Sequence, residues 1–169
     1  IFFHSKCGGR TRRPDQVWTN TVEGYTNVEC PYCHKHGPKD WKAVLPKGNF
    51  YSAVDKALSN FQGDKLDRGV ASFKVAPANF SDARMRVYDD DRLVVLKKSR
   101  IRSTLGRKYT LSNSFSVLTK GGDIVLEGKG FGHGVGLCQY GALEMAKQGH
   151  NYKEILKHYF PRFKLERLY

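Results

Sequence analysis

Between residues 130 and 142 the chain reads Gly130-Phe131-Gly132-His133-Gly134-Val135-Gly136-Leu137-Cys138-Gln139-Tyr140-Gly141-Ala142, with four glycines alternating with other residues before sequence that permits a helix. Glycine at this density is costly in conformational entropy. It reaches positive φ and lets another group come close to the backbone. The pattern therefore predicts a loop that lines a site, set between a strand and a helix.

A strand, a glycine-rich turn and a helix N-terminus make a general anion cradle. The specific phosphate patterns are not met. A dinucleotide fingerprint needs glycine at the third position of its G-x-G-x-x-G spacing, and starts at Gly130, Gly132 and Gly134 place Val135, Leu137 and Gln139 there. No Lys-Ser or Lys-Thr follows, as a P-loop would require. What remains is exposed backbone N–H together with His133, Gln139 and Tyr140, polar groups suited to the hydroxyls and amides of sugars. His133 is equally suited to bonding the loop's own backbone. Gln139 is the better site-facing residue, since Tyr140 also fits a core position.

The rest of the chain bounds the partners. Its 169 residues, 40% apolar, suit one globular domain over 1–169. The formal net charge of +13 and pI of 9.7 predict attraction to a polyanion: nucleic acid, anionic lipid or acidic wall polymer. No run reaches the ~18 apolar residues of a membrane span. Ile1-Phe2-Phe3-His4 reads as mid-strand, so further sequence is expected upstream.

The periodicities predict an α+β fold of short strands and hairpins, a glycine-rich site loop and C-terminal helices, without regular βαβ alternation. A strand is expected at 1–4, and residues 19–48 read as mostly irregular. Asn49 can cap a helix whose one face carries Phe50, Ala53, Val54, Ala57, Leu58 and Phe61. Strands are expected at 70–75, 84–88 and 93–96, the last two a hairpin about Asp89-Asp90-Asp91-Arg92. A short helix follows at 100–105, then a second hairpin, 114–118 with 123–126, about Lys120-Gly121-Gly122. Helices are expected at 136–148 and 152–159, the second stopped by Pro161, with a strand at 164–168.

A second constellation is Cys30-Pro31-Tyr32-Cys33-His34-Lys35-His36, with Cys7 beside Gly8-Gly9. Two thiolates separated by two residues grip one zinc ion, and a third thiolate with an imidazole completes a tetrahedron. Cys7, Cys30, Cys33 and His36 are the expected ligands of a structural zinc knuckle over 7–36. His34 and His4 are the other candidates for the fourth place. A Cys30–Cys33 redox couple would want a helix start behind the first cysteine, which Pro31, Gly37 and Pro38 do not supply. Cys138 reads as a small buried apolar residue.

Phe3-His4-Ser5-x-Cys7-Gly8-Gly9-x-Thr11, Val17-Trp18, Tyr25-Thr26-Asn27-Val28, Leu105-Gly106, the 128–142 glycine segment, Met145-Ala146 and His158-Tyr159-Phe160-Pro161 together resemble the stage II sporulation protein D family, the SpoIID/LytB domain, along essentially the whole chain. The resemblance implies an extracytoplasmic, cell-wall-associated protein acting on peptidoglycan. Sporulation members are lytic transglycosylases acting on glycan strands without stem peptides, and others enhance an amidase. It places the catalytic glutamate in a segment upstream of Phe3-His4-Ser5, so this chain corresponds to the C-terminal portion of the domain. His4 and Ser5 on one side, and Gly132, His133, Gly134, Gln139 and Tyr140 on the other, are then the expected glycan-binding residues. Glu127, just before the glycine loop, is the in-chain substitute for the acid.

Transglycosylation needs one carboxyl group, since the C6 hydroxyl of muramic acid takes the place of water, whereas hydrolytic glycosidases use two carboxylates. The expected function is thus cleavage of glycan strands to 1,6-anhydro-muramic ends. The alternatives are a non-catalytic wall-binding or amidase-enhancing module, and a zinc-ribbon nucleic-acid binder. The last leaves the glycine–histidine loop without a role, and nucleic acid is not expected as a partner.

Overall fold

The computed structural model of the chain describes residues 1–37 and 40–166. In chain order these form β1 (Phe3–His4), α1 (Pro14–Val17), a 3-10 turn (Cys33–Lys35), β2 (Asp40–Pro46), α2 (Lys47–Gln62), β3 (Phe73–Val75) and β4 (Arg84–Asp89). There follow β5 (Arg92–Lys97), α3 (Lys98–Leu105), β6 (Phe115–Lys120), β7 (Asp123–Lys129), β8 (Leu137–Cys138), α4 (Gln139–Lys147) and α5 (Tyr152–Tyr159). The α+β class expected from the sequence is the class observed. The residues cluster into two compact units, one built from Ile1–Lys39 with Gly130–Tyr169 and the other from Asp40–Lys129.

The Asp40–Lys129 unit holds two antiparallel three-stranded sheets, ordered β2-β7-β6 and β3-β4-β5. Its core is apolar, with Leu45, Phe50, Phe73, Met85, Phe115 and Leu126 almost wholly enclosed. α2 presents Phe50, Ala53, Val54, Ala57 and Leu58 to this core. It begins at Lys47 rather than after Asn49, because Pro46 stands at the cap position with φ −55°, a value its ring imposes. Gly63 ends it in the left-handed conformation at φ 67°. Phe61, expected on the buried face, is 42% exposed and lies under the Arg100 guanidinium, 4.0 Å from its ring centre.

Residues 40–46 correct the expectation of irregular chain there. Trp41, Ala43 and Leu45 alternate toward the core in β2, but exposed Val44 and the terminal Pro46 hide that period of two from the sequence. Strand β3 is confined to Phe73–Val75, since Val70 and Ala71 lie in a turn. Lys98 is fully buried at the start of α3, where its ammonium donates to the Asn79 and Phe115 carbonyls.

In the other unit the N-terminal segment and the glycine loop run side by side. β1 pairs in parallel with β8, matching Phe3 to Leu137 and His4 to Cys138. Isolated bridges join Lys6 to Phe131 and Arg12 to Val135. The strand β8 takes the first residues of the helix expected from 136, so α4 starts at Gln139. Asn151 caps α5: its side chain accepts from the Lys153 and Glu154 amides while Glu154 accepts from the Asn151 amide. Residues 164–166 are not in a strand, and the remainder of the strand expected at 164–168 lies outside the described residues.

Candidate functional site

The unit formed by Ile1–Lys39 and Gly130–Tyr169 carries both sequence constellations. In the first, the sulfurs of Cys7, Cys30, Cys33 and Cys138 all lie within 4.8 Å of one another, and all four residues are buried. Cys7 and Cys33 Sγ are 3.5 Å apart. A tetrahedral zinc with Zn–S of ~2.3 Å has sulfur–sulfur edges of roughly 3.8 Å, so the four donors fit one such ion. The backbone supports them as it would thiolates: the Gly9 and Cys7 amides point at Cys7 and Cys138 Sγ, each at 3.4 Å. The Tyr159 hydroxyl is 3.1 Å from Cys30 Sγ. Hydrogen bonding among the sulfurs, chiefly with Cys138, lowers Cys30 to about 7 and pushes Cys33 down. The same network pushes Cys7 and Cys138 up.

The fourth sulfur of the cluster is Cys138, buried as expected from the sequence, while His36, expected as the fourth ligand, faces elsewhere. The His36 ring nitrogen Nε2 sits 3.1 Å from Glu144 Oε2, and His34 is exposed. Glu144, 8% exposed on α4, also accepts from Lys35 and Gln148, each at 2.8 Å. The Lys35 hydrogen bond, followed by that of Gln148, holds its carboxyl down at about 2. The turn after Cys33 is thereby fastened to the helix that follows Cys138.

One further feature of this cluster is Gly141, in the first turn of α4. A Cβ there would collide with the Tyr159 hydroxyl and come within 2.6 Å of Cys30 Sγ. A glycine inside a helix costs roughly 1 kcal/mol relative to alanine. That cost was the available signal in the sequence that something approaches the helix at this point.

The second constellation is the glycine loop. Two of its glycines answer to the N-terminal segment: at Gly130 (φ 79°) a Cβ would stand 2.8 Å from the Gly8 amide nitrogen, and at Gly136 (φ 76°) it would overlap the Phe2 carbonyl. The alternation that reads as room for a ligand is in part room for the neighbouring chain. The loop brings His133 against His4, ring centres 5.6 Å apart, and against Trp18 at 5.1 Å. His133 Nδ1 accepts from the Val135 amide at 3.0 Å, which places the proton of the neutral ring on Nε2.

His4 is 4% exposed, and its Nδ1 lies 3.1 Å from the Val135 carbonyl. The neutral ring therefore donates from Nδ1 and presents the lone pair of Nε2, a buried atom without a hydrogen-bond partner among the described residues. Burial is the largest cause that lowers His4 to about 4, so it is neutral at pH 7.

The other expected glycan-binding residues are distributed unevenly. Gly132 backs onto His4 Cβ, and Gly134 is buried beside the Arg12 side chain. Ser5 uses its carbonyl to accept from the Tyr140 amide at 3.1 Å. Gln139 is exposed at the start of α4, while the Tyr140 ring faces the Lys6 ammonium and the His36 ring. Glu127 is in the other unit, on β7, paired with Lys42 at 2.8 Å. Trp18 was read from the sequence only within the family pattern, and the structure places it on the loop histidine.

No protein-family model matches the chain. It is 30% identical over 94% of its length to stage II sporulation protein D of Bacillus subtilis and to that of Bacillus amyloliquefaciens. It is 30% identical, again over 94%, to an uncharacterized protein of Brachyspira hyodysenteriae. A 63-residue stretch is 38% identical to the amidase enhancer of Bacillus subtilis. The chain spans 41–42% of the length of the full-coverage relatives.

Proposed function

We propose that this chain is the glycan-binding portion of a cell-wall protein that cleaves peptidoglycan strands by lytic transglycosylation, with the catalytic glutamate supplied from sequence upstream of Ile1. The observation that carries the reading is the ring cluster at the glycine loop, where His133 packs against both His4 and Trp18. Imidazole and indole groups so clustered suit the hydroxyls, acetamido groups and C–H faces of sugars. In the reaction, the glutamic acid protonates the leaving glycosidic oxygen. The C6 hydroxyl of muramic acid then closes on the anomeric carbon while its proton returns to the carboxylate, leaving a 1,6-anhydro end.

Cys7, Cys30, Cys33 and Cys138 would hold a structural zinc. Bound there, the ion supplies folding free energy and no bond-making step. It ties the N-terminal segment, the Cys30–Cys33 turn and the entry to α4 together, and so fixes His4 against the loop. The basic surface, +13 overall, holds the protein near anionic wall polymers outside the cytoplasm. No helix among the described residues is long and apolar enough to cross a membrane.

A second reading is favoured by the stretch shared with a relative named amidase enhancer: the chain binds wall glycan and assists a separate wall enzyme without cleaving. Co-sedimentation with purified peptidoglycan, with and without stem peptides, tests what the two readings share. The chain should pellet with both and more with the peptide-free strands, and His133→Ala should weaken that at least tenfold. Equal pelleting of wild type and His133→Ala would remove the loop from the binding site.

A further inference from the structure

The Asp40–Lys129 unit has its own candidate sugar site. A cavity of about 290 Å³ is lined by Asp40, Trp41, Lys42, Phe80, Glu127, Gly128 and Lys129. Trp41 and Gly128 are cross-strand partners between β2 and β7. A Cβ at 128 would overlap the Trp41 indole, so the missing side chain is what lets the ring lie over the strand. The indole is fixed at both ends: Nε1 donates to Ser112 Oγ at 3.3 Å, and the ring packs 6.0 Å from Phe115. Phe80 adds a second ring, with the Lys129 ammonium 5.0 Å from its centre. Lys42 and Glu127 pair across the rim at 2.8 Å.

Two aromatic rings lining the cavity together with two ammonium and two carboxylate groups are what a pyranose ring requires. Its C–H face stacks on the indole, and its hydroxyls meet both donors and acceptors. Two carboxylates offset the two lysines, which disfavours a phosphate backbone. The volume is near the lower end of ligand-sized pockets, ~300 Å³, enough for one ring. We propose that this cavity is a glycan subsite in which Trp41 stacks on one sugar of the strand. The inference rests on the glycan reading above but uses none of the glycine-loop residues.

The test is a ¹⁵N spectrum of the chain titrated with peptide-free peptidoglycan tetrasaccharide, with the two indole N–H signals assigned by Trp41→Phe. The Trp41 signal should shift saturably, and still do so in His133→Ala. Phe80→Ala and Glu127→Gln, with the rest of their spectra unchanged, should each raise the dissociation constant about tenfold, equivalent to about 1.4 kcal/mol. Shifts confined to the glycine loop with Trp41 silent would overturn this subsite and leave the glycan reading standing. Silence everywhere would overturn both. A Trp41 shift with an oligonucleotide and none with the tetrasaccharide would overturn the assignment to sugar.

Discussion

The Tyr159 hydroxyl lies 3.1 Å from Cys30 Sγ, and both rest on the space left by Gly141, where a Cβ would collide with the hydroxyl and the sulfur. Helix α5 is thus joined to the cysteine cluster through a bare point on α4. Gly141→Ala should lower zinc affinity 10–100-fold, the range seen when groups supporting metal ligands are lost, although alanine favours the helix itself. Competition with a chromophoric chelator measures this, and an unchanged affinity would mean that α4 yields without disturbing the sulfurs.

Cys138→Ser and His36→Ala separate the two candidates for the fourth ligand. The serine variant should bind zinc weakly and lose most of the melting temperature that chelation removes from wild type. His36→Ala should keep one zinc per chain, since the loss is only of a contact to Glu144. Metal analysis with thermal melts decides it, and the reverse pattern would restore the histidine.

His4 makes stability depend on pH. Its folded value of about 4 lies below the ordinary 6.5, so between those values the unfolded chain binds a proton that the folded chain does not. Stability is therefore full above pH 6.5 and falls as the pH drops toward 4, by at most about 3 kcal/mol at ~1.4 kcal/mol per unit. The His4 ring signal should titrate near 4 by NMR. His4→Asn, which retains a donor for the Val135 carbonyl, should flatten this limb relative to wild type; a ring titrating near 6.5 would show that it is not desolvated.

Lys98→Met removes the donor to the Asn79 and Phe115 carbonyls from a fully buried position. The buried Phe115 carbonyl would then lose this donor, at ~1–3 kcal/mol, while the Asn79 carbonyl keeps the Asp82 amide. Urea unfolding should show a loss of that order. A neutral result would mean that water reaches the Phe115 carbonyl.

The sequence discloses most where one face of an element repeats. The stripe of α2 and the β4–β5 hairpin are legible because their buried residues recur at the helix and strand periods. The cysteine cluster is legible as far as Cys7, Cys30 and Cys33. Cys138 is not, because it stands 131 residues from Cys7 and only the β1–β8 pairing brings it to the cluster. The glycine loop is recognisable as exceptional, but its cause is mixed: Gly130 and Gly136 yield to the chain's own backbone, which no local pattern reveals. Trp41 and Gly128 are paired by register between distant strands, so their joint cavity becomes visible only in three dimensions.

The most direct test of the account is mass spectrometry of peptide-free glycan strands after incubation with this 169-residue chain and, separately, with a longer form carrying sequence upstream of Ile1. Transglycosylation by an upstream acid predicts 1,6-anhydro-muramic ends from the longer form, their loss in its His133→Ala variant, and binding without cleavage by the shorter chain. Anhydro ends from the shorter chain would contradict the placement of the acid upstream and point first to Glu127. No anhydro ends from the longer form, folded and zinc-loaded, would contradict transglycosylation itself.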